Sequence, residues 1–142
     1  MQKNALHWTA YASLRLPVLA TLCFKTTMQI ANLIEPGFST ADAEYPEIKQ
    51  EDGDLTLRFK DWQEKLVEVF FGDAIAFKWQ MAESFLANER DDCSYEIEGS
   101  EWLELHRKQG EIGPQEEYKH YKFNFNAVGQ FEVLAQCYTV KT

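Results

Sequence analysis

The sequence predicts an α+β domain, a mainly antiparallel sheet of about five to seven strands with one or two helices packed on one face. The chain has 142 residues, 45% of them hydrophobic, which is enough for one buried core without disulfides or metal. Several segments alternate apolar and polar residues with the period of a β-strand. One segment has helical spacing, and no strand–helix–strand repeat occurs, so neighbouring strands are expected to pair antiparallel.

Two regions in the middle of the chain carry clear strand signals. After the dipeptide Asp52-Gly53, the residues Leu55, Leu57 and Phe59 occupy alternate positions and therefore line one face of a strand. Further on, the runs KLVEVFF and AIAFKWQM flank a Gly-Asp turn at residues 72–73. This arrangement predicts a β-hairpin.

The C-terminal stretch YKHYKFNFNAVGQFEVLAQCYTV predicts a second hairpin, with its turn in NAVG. Alternation places Tyr121, Phe123 and Phe125 on one face of the first strand and His120 on the other. Cys137 has the parity of the apolar residues in the partner strand. We therefore expect Cys137 to be a buried structural thiol and not the partner of His120 in a thiolate–imidazole dyad.

The stretch GSEWLELHRKQG predicts a helix of about nine residues. Ser100 can accept a hydrogen bond from a free amide of the first turn, and Glu101 lies at the positive end of the helix dipole. Gly110 follows a basic last turn and can end the helix in a left-handed conformation.

The charge of the chain is unevenly distributed. The net charge is −9, yet residues 1–34 contain no acid, residues 35–54 contain seven acids against one lysine, and residues 83–104 contain eight acids against one arginine. Nucleic-acid binding requires a clustered basic surface, so this composition argues against it. A focused negative field favours a protein partner with a basic surface.

Residues 1–27 have an uncertain status, and residues 28–142 are expected to form the single α+β domain. The acid-free segment fits a docked helix, an upstream extension of a chain that starts at Met28, or a weak leader. Its apolar run, Leu16–Phe24, is too short to span a membrane. The three cysteines form no C-x-x-C pair, so we expect a protein of the reducing cytoplasm.

No motif of catalysis or cofactor binding is present. The sequence has no G-x-G-x-x-G, no Walker loop, no H-E-x-x-H and no G-x-S-x-G. We therefore expect neither a cofactor nor a metal, assign no catalytic residue, and favour a protein that is not an enzyme.

An acidic chain with the stretch EGSEWLELH and a terminal hairpin resembles the small immunity-type proteins of bacteria, which bind and block a toxin. The resemblance covers residues 48–140 and rests on general pattern, so it assigns no functional residue. It implies a non-catalytic binding protein.

The main functional hypothesis is a protein-binding module that acts through an acidic surface. Trp62 and Trp102 are the predicted aromatic anchors. The acidic residues predicted to bind are Glu44, Glu47, Glu51, Asp52, Asp91, Asp92, Glu96 and Glu98.

The alternative is a small-ligand-binding protein or enzyme with a pocket on the aromatic face of the sheet. This pocket would lie beneath Trp79, Phe123 and Phe125, with His120 or Tyr121 as the polar group. The partner and the oligomeric state do not follow from the sequence.

A chain that begins at Met28 should keep its thermal midpoint, because residues 1–27 differ in composition from the predicted domain. Thermal unfolding of both chains, followed by circular dichroism, tests this. A loss of more than about 10 °C would show that the segment belongs to the core.

Overall fold

The structure, a computed structural model, describes residues 28–142, so the predictions made for residues 1–27 lie outside the described part of the chain. That part contains nine strands in two antiparallel sheets. The five-stranded sheet has the order β1 (Ile30–Ile34), β6 (Ser94–Glu98), β7 (Lys119–Phe125), β8 (Gly129–Ala135), β5 (Ala76–Gln80). The four-stranded sheet has the order β2 (Glu44–Glu51), β3 (Asp54–Lys60), β4 (Leu66–Phe71), β9 (Thr139–Lys141).

The two sheets pack face to face around an aromatic core. Phe59 of β3 meets Phe125 of β7 with ring centroids 5.0 Å apart, and Phe71 of β4 lies 6.0 Å from Phe123 and 5.9 Å from Phe131. Edge-on and tilted geometries of this kind are favourable for aromatic pairs. The inner face of each sheet is thus buried by the other sheet.

The prediction of a mainly antiparallel fold is confirmed, but the described residues form two sheets with a single short helix, which is a sheet-rich structure and not the predicted α+β class. One face of the predicted sheet was expected to pack against helices, whereas a second sheet covers the aromatic face and the helix lies on the opposite face. The cause lies in β3 and β4, whose alternate apolar residues form an inner face of their own that must also be buried. In the described residues the strands therefore number nine instead of five to seven.

The terminal hairpin is confirmed as β7 and β8, and the strand at residues 55–59 as β3. The predicted hairpin around Gly72-Asp73 is wrong. Strand β4 pairs with β3 and β9, whereas β5 pairs with β8 in the other sheet. At the Gly-Asp dipeptide the chain therefore passes from the four-stranded sheet to the five-stranded sheet. There Phe77 and Trp79 of β5 pack against Phe131 and Phe125 and complete its inner face.

A single helix, α1 (Glu101–Lys108), lies in the described part of the chain, as predicted. Ser100 caps it, since its Oγ accepts a hydrogen bond from the Leu103 amide at 3.0 Å. The helix packs on the outer face of the five-stranded sheet, where Trp102 contacts His120 edge-on at 5.1 Å. No helix among residues 28–142 has the length and apolar character needed to cross a membrane.

Neighbouring residues of β4 provide a test of the two-layer core. Phe71 is 0% exposed between the sheets, whereas Phe70 points outward and is 44% exposed. Phe71→Ala should lower the free energy of unfolding by about 3–5 kcal/mol through lost burial and a residual cavity. Phe70→Ala, the matched control, should cost about 1 kcal/mol or less. Urea titration measures both, and equal losses would contradict the assigned faces.

Candidate functional site

The structure divides the eight predicted acidic residues between the two sheets. Glu44, Glu47 and Glu51 lie on β2, and Asp52 lies in the turn to β3. The other four belong to the five-stranded sheet, either in β6 or in the loop that precedes it, and these are Asp91, Asp92, Glu96 and Glu98. The acids therefore form two separate groups, of which the first follows one edge strand.

Basic side chains balance part of each group. Arg58 lies 3.9 Å from Glu47, and Lys49 lies 3.5 Å from Glu51. In the other group, Arg90 pairs with Asp92 at 3.5 Å and Lys119 pairs with Glu96 at 3.8 Å. Exposed pairs of this kind add little to stability, but each one weakens the local negative field. Charge alone therefore distinguishes neither group.

The first group has an additional feature, two exposed aromatic side chains. Tyr45 is 74% exposed and Trp62 is 60% exposed. Glu44 is the register partner of Lys60, so Tyr45 and the turn that carries Trp62 lie at the same end of the four-stranded sheet. We name Glu44, Tyr45, Glu47, Glu51, Asp52 and Trp62 the β2 edge surface.

The backbone at Tyr45 is unusual. Tyr45 has a φ of 55°, in the left-handed region, and it precedes Pro46. The register of β2 against β3 shifts between Glu44 and Glu47, which marks a β-bulge. A bulky residue in this conformation is strained, and such strain is most common at functional positions.

The structure does not place the alternative pocket where the sequence predicts it. Tyr121, Phe123 and Phe125 are buried between the sheets, and Trp79 packs against Phe125 with ring centroids 5.9 Å apart. These four residues belong to the core and not to a ligand-binding wall. His120 has the predicted opposite orientation and is buried on the outer face.

That outer face bears a cavity of about 320 Å³. Side chains of β5, β7 and β8 form its floor, α1 forms one wall, and residues 84–86 form another wall. We name it the outer-face cavity. Its lining consists of Gln29, Lys78, Gln80, Ser84, Phe85, Leu86, Ile97, Glu101, Trp102, His120, Lys122 and Glu132.

His120 joins the helix cap to the cavity floor. Its Nδ1 lies 2.7 Å from Ser100 Oγ, and its Nε2 lies 2.7 Å from Glu132 Oε1. When Nε2–H donates to Glu132, the Ser100 hydroxyl can donate to Nδ1 and still accept the Leu103 amide. Both ring nitrogens of His120 and the Ser100 hydroxyl are thereby satisfied, and the imidazole ring is fixed.

The order Ser100, His120, Glu132 resembles that of a hydrolase triad, but the geometry does not supply a nucleophile. Ser100 is buried at the helix cap, its Oγ already accepts a hydrogen bond, and the cavity lining given above does not include it. The hydrogen bonds of His120 thus fix its ring, but a ligand in the cavity has no access to the Ser100 hydroxyl.

Glu132 carries a stabilised negative charge on the cavity floor. Burial by itself would raise its pKa, but the hydrogen bond with His120 and the positive charges of Lys78 and Lys122 outweigh burial. The pKa of Glu132 consequently lies below its ordinary value. The carboxylate is ionised at neutral pH and can accept a hydrogen bond from a ligand.

A buried ion pair holds the loop that borders the cavity. Lys122 Nζ lies 3.0 Å from Glu89 Oε2 and donates to the Ser84 carbonyl at 2.6 Å. The same Glu89 carboxylate accepts the Leu86 amide and the side-chain amide of Asn124. The loop between β5 and β6 is thus tied to the sheet at several points.

The sequence did not reveal the polar floor, although its residues were visible. Lys122 and Glu132 alternate with core aromatics, a pattern that is equally typical of a solvent-exposed face. Burial of this face depends on α1 and on the loop that contains Glu89, and no local pattern predicts where these pack. Cys137 was also wrongly assigned, because β8 ends at Ala135 and the thiol is exposed.

Comparisons of the chain with known protein families, with curated proteins and with solved structures give no match. Function is therefore inferred from the geometry of the described residues.

Replacing Glu132 by Gln tests the charge on the cavity floor. A carboxylate with a lowered folded-state pKa stabilises the protein above the unfolded value of about 4.5, and this stabilisation is lost as the pH falls through the folded pKa. Glu132→Gln should therefore cost about 1–3 kcal/mol at pH 7 and progressively less below about pH 4.5.

Urea titrations between pH 3 and pH 7 measure this difference. Glu117→Gln is the control, because Glu117 is exposed and makes no ion pair within residues 28–142. A cost for Glu132→Gln that stays constant over this range would exclude a role for the ionised carboxylate.

Proposed function

We propose that this protein is a non-catalytic binding module that recognises a basic protein through the β2 edge surface, in the manner of an immunity-type inhibitor. The observation that carries the proposal is Tyr45, an exposed aromatic residue held in a strained backbone conformation on an acidic edge strand.

The strain at Tyr45 supports a binding role. A left-handed φ costs a bulky residue on the order of 1–3 kcal/mol, so it persists only where surrounding structure imposes it. Here it coincides with the β-bulge between Glu44 and Glu47, and the ring is directed away from the core. Tyrosine and tryptophan are the residues most enriched among binding hot spots, and Trp62 lies at the same end of the sheet.

The acidic residues along β2 and in the turn that follows it favour a basic partner. Glu44 and Asp52 form no ion pair within the described residues, so their charge is available to a partner. Glu47 and Glu51 have exposed side chains whose pairs with Arg58 and Lys49 can open. Aromatic anchors would supply affinity, and the surrounding acids would supply steering and selectivity.

Truncation of the two aromatic side chains tests the proposal. A Tyr45→Ala, Trp62→Ala double variant should weaken partner binding at least 30-fold, which corresponds to about 2 kcal/mol. The matched control is Leu33→Ala with Leu105→Ala, which truncates two exposed apolar residues associated with the other sheet. Immobilised wild-type and variant proteins are compared by pull-down from the native host, followed by titration of each retained protein.

Charge reversal separates the two acidic groups. The first variant carries Glu44→Lys, Glu47→Lys, Glu51→Lys and Asp52→Lys, and it should abolish binding. The second carries Asp91→Lys, Asp92→Lys, Glu96→Lys and Glu98→Lys, and it should leave most of the binding intact. Both variants change the net charge equally. Retention of the same basic protein by the wild type and by every variant would contradict recognition through the β2 edge surface.

A further inference from the structure

We infer that the outer-face cavity is a binding site for a small, uncharged, polyhydroxylated molecule of monosaccharide size. This site is separate from the β2 edge surface and does not depend on the function proposed for it. The inference rests on the buried polar floor, the balance of charges around it, the free hydrogen-bonding groups and the aromatic walls.

The floor of the cavity is formed by buried polar side chains whose positions are fixed by hydrogen bonds. His120, Lys122 and Glu132 all line the cavity and are more than nine-tenths buried. Burying such groups is costly unless each has a partner, and here each is held by hydrogen bonds from a neighbouring element. Their positions are fixed before any ligand arrives, which lowers the entropic cost of binding.

The charges that line the cavity balance each other. Glu89 already neutralises Lys122, and Glu101 is exposed at the rim. The charges that remain on the floor are those of Lys78 and Glu132, which are register partners of opposite sign. An anion that approached Lys78 would also meet Glu132, and a cation that approached Glu132 would also meet Lys78. The cavity therefore favours neither an anion nor a cation, and it suits a ligand without net charge.

Unused hydrogen-bonding groups of both kinds face this balanced floor. Within residues 28–142, Lys78 Nζ makes no hydrogen bond, and Glu132 uses only Oε1. Gln80 donates through its amide nitrogen to Ala82 and Gln130, which leaves its oxygen as an acceptor. Gln29 accepts from the Glu101 amide through its oxygen, which leaves its nitrogen as a donor. Hydroxyl groups suit this mixture because each can donate and accept.

Aromatic walls complete the complementarity to a sugar ring. Trp102 and Phe85 flank the floor. Lys78 Nζ covers one face of the Trp102 ring, at 4.4 Å from its centroid, whereas Phe85 is 40% exposed. Phe85 therefore offers the flat surface that can pack against the C–H face of a sugar while polar side chains bind its hydroxyls. The volume of about 320 Å³ is near the lower limit for small-molecule sites, which fits one sugar ring better than a nucleotide.

The experiment uses a panel of neutral monosaccharides and cyclitols as probes, with glucuronate, inorganic phosphate and glycine as charged or zwitterionic comparisons. Two-dimensional NMR of the full chain follows the indole N–H of Trp102 and the ring protons of His120 during titration. We expect saturable shifts of these signals with at least one neutral probe, at a Kd in the millimolar range or tighter, and weaker binding of every charged comparison.

Two variants connect the binding to the cavity. Lys78→Met removes the free donor, and Phe85→Ala removes an exposed aromatic wall, so neither disturbs the hydrogen bonds of the floor. Each variant should weaken binding of the neutral probe at least tenfold. Lys141→Met on β9 is the control and should have no effect.

Three results would overturn the inference. Tighter binding of glucuronate or phosphate than of every neutral probe would assign the cavity to anions. Equal affinity in Lys78→Met, Phe85→Ala and the control would place the binding elsewhere. If no neutral probe gave saturable shifts, the cavity would not be a binding site for such molecules. None of these results affects the β2 edge surface, because its residues lie on the other sheet.

Discussion

The ion pair between Lys122 and Glu89 determines how the outer face of the five-stranded sheet is covered. Its side chains are 6% and 0% exposed, so both charges have left water, and such a pair is tolerable only when further hydrogen bonds compensate. The Ser84 carbonyl, the Leu86 amide and Asn124 provide them, and all three require the loop to lie flat on the sheet. Without this pair, the wall formed by residues 84–86 would keep the hydrogen bond from the Ser84 amide to Gln130 but lose its contacts with Lys122, and the floor would be more open to solvent.

The hairpin of β7 and β8 combines two different interiors. Its inner side is aromatic and packs against the four-stranded sheet through contacts that depend mainly on shape and area. Its outer side is polar and is ordered by directional contacts, of His120 with Glu132 and of Lys122 with Glu89. One pair of strands thus links a rigid core to a surface with defined hydrogen-bonding geometry. Rigid support of this kind is what a binding site requires.

The sequence predicts those elements whose formation depends on residues that are close together in the chain. The helix at residues 101–108 was predicted because Ser100 and the basic last turn act locally. The inner face of β7 was predicted because Phe123 and Phe125 alternate with polar residues. The pairing of segments that are distant in the chain has no local sequence signal. The hairpin predicted at Gly72-Asp73 was wrong for this reason, because both strands have the expected composition but belong to different sheets. Similarly, Lys122 occupies a position in the alternating sequence that is typical of an exposed residue. It is buried only because the fold brings Glu89 next to it.

The bulge at Tyr45 also governs how β2 can associate with other chains. An edge strand exposes unpaired backbone amides and carbonyls, which can recruit a further strand and lead to aggregation. Here the bulge interrupts the regular spacing of those groups, Pro46 lacks an amide hydrogen, and Glu47 and Glu51 repel another acidic strand. Addition of a foreign strand along this edge is therefore disfavoured. The same feature that exposes Tyr45 thus hinders extension of the four-stranded sheet at its β2 edge and leaves side-chain contacts as the favoured way to approach this strand.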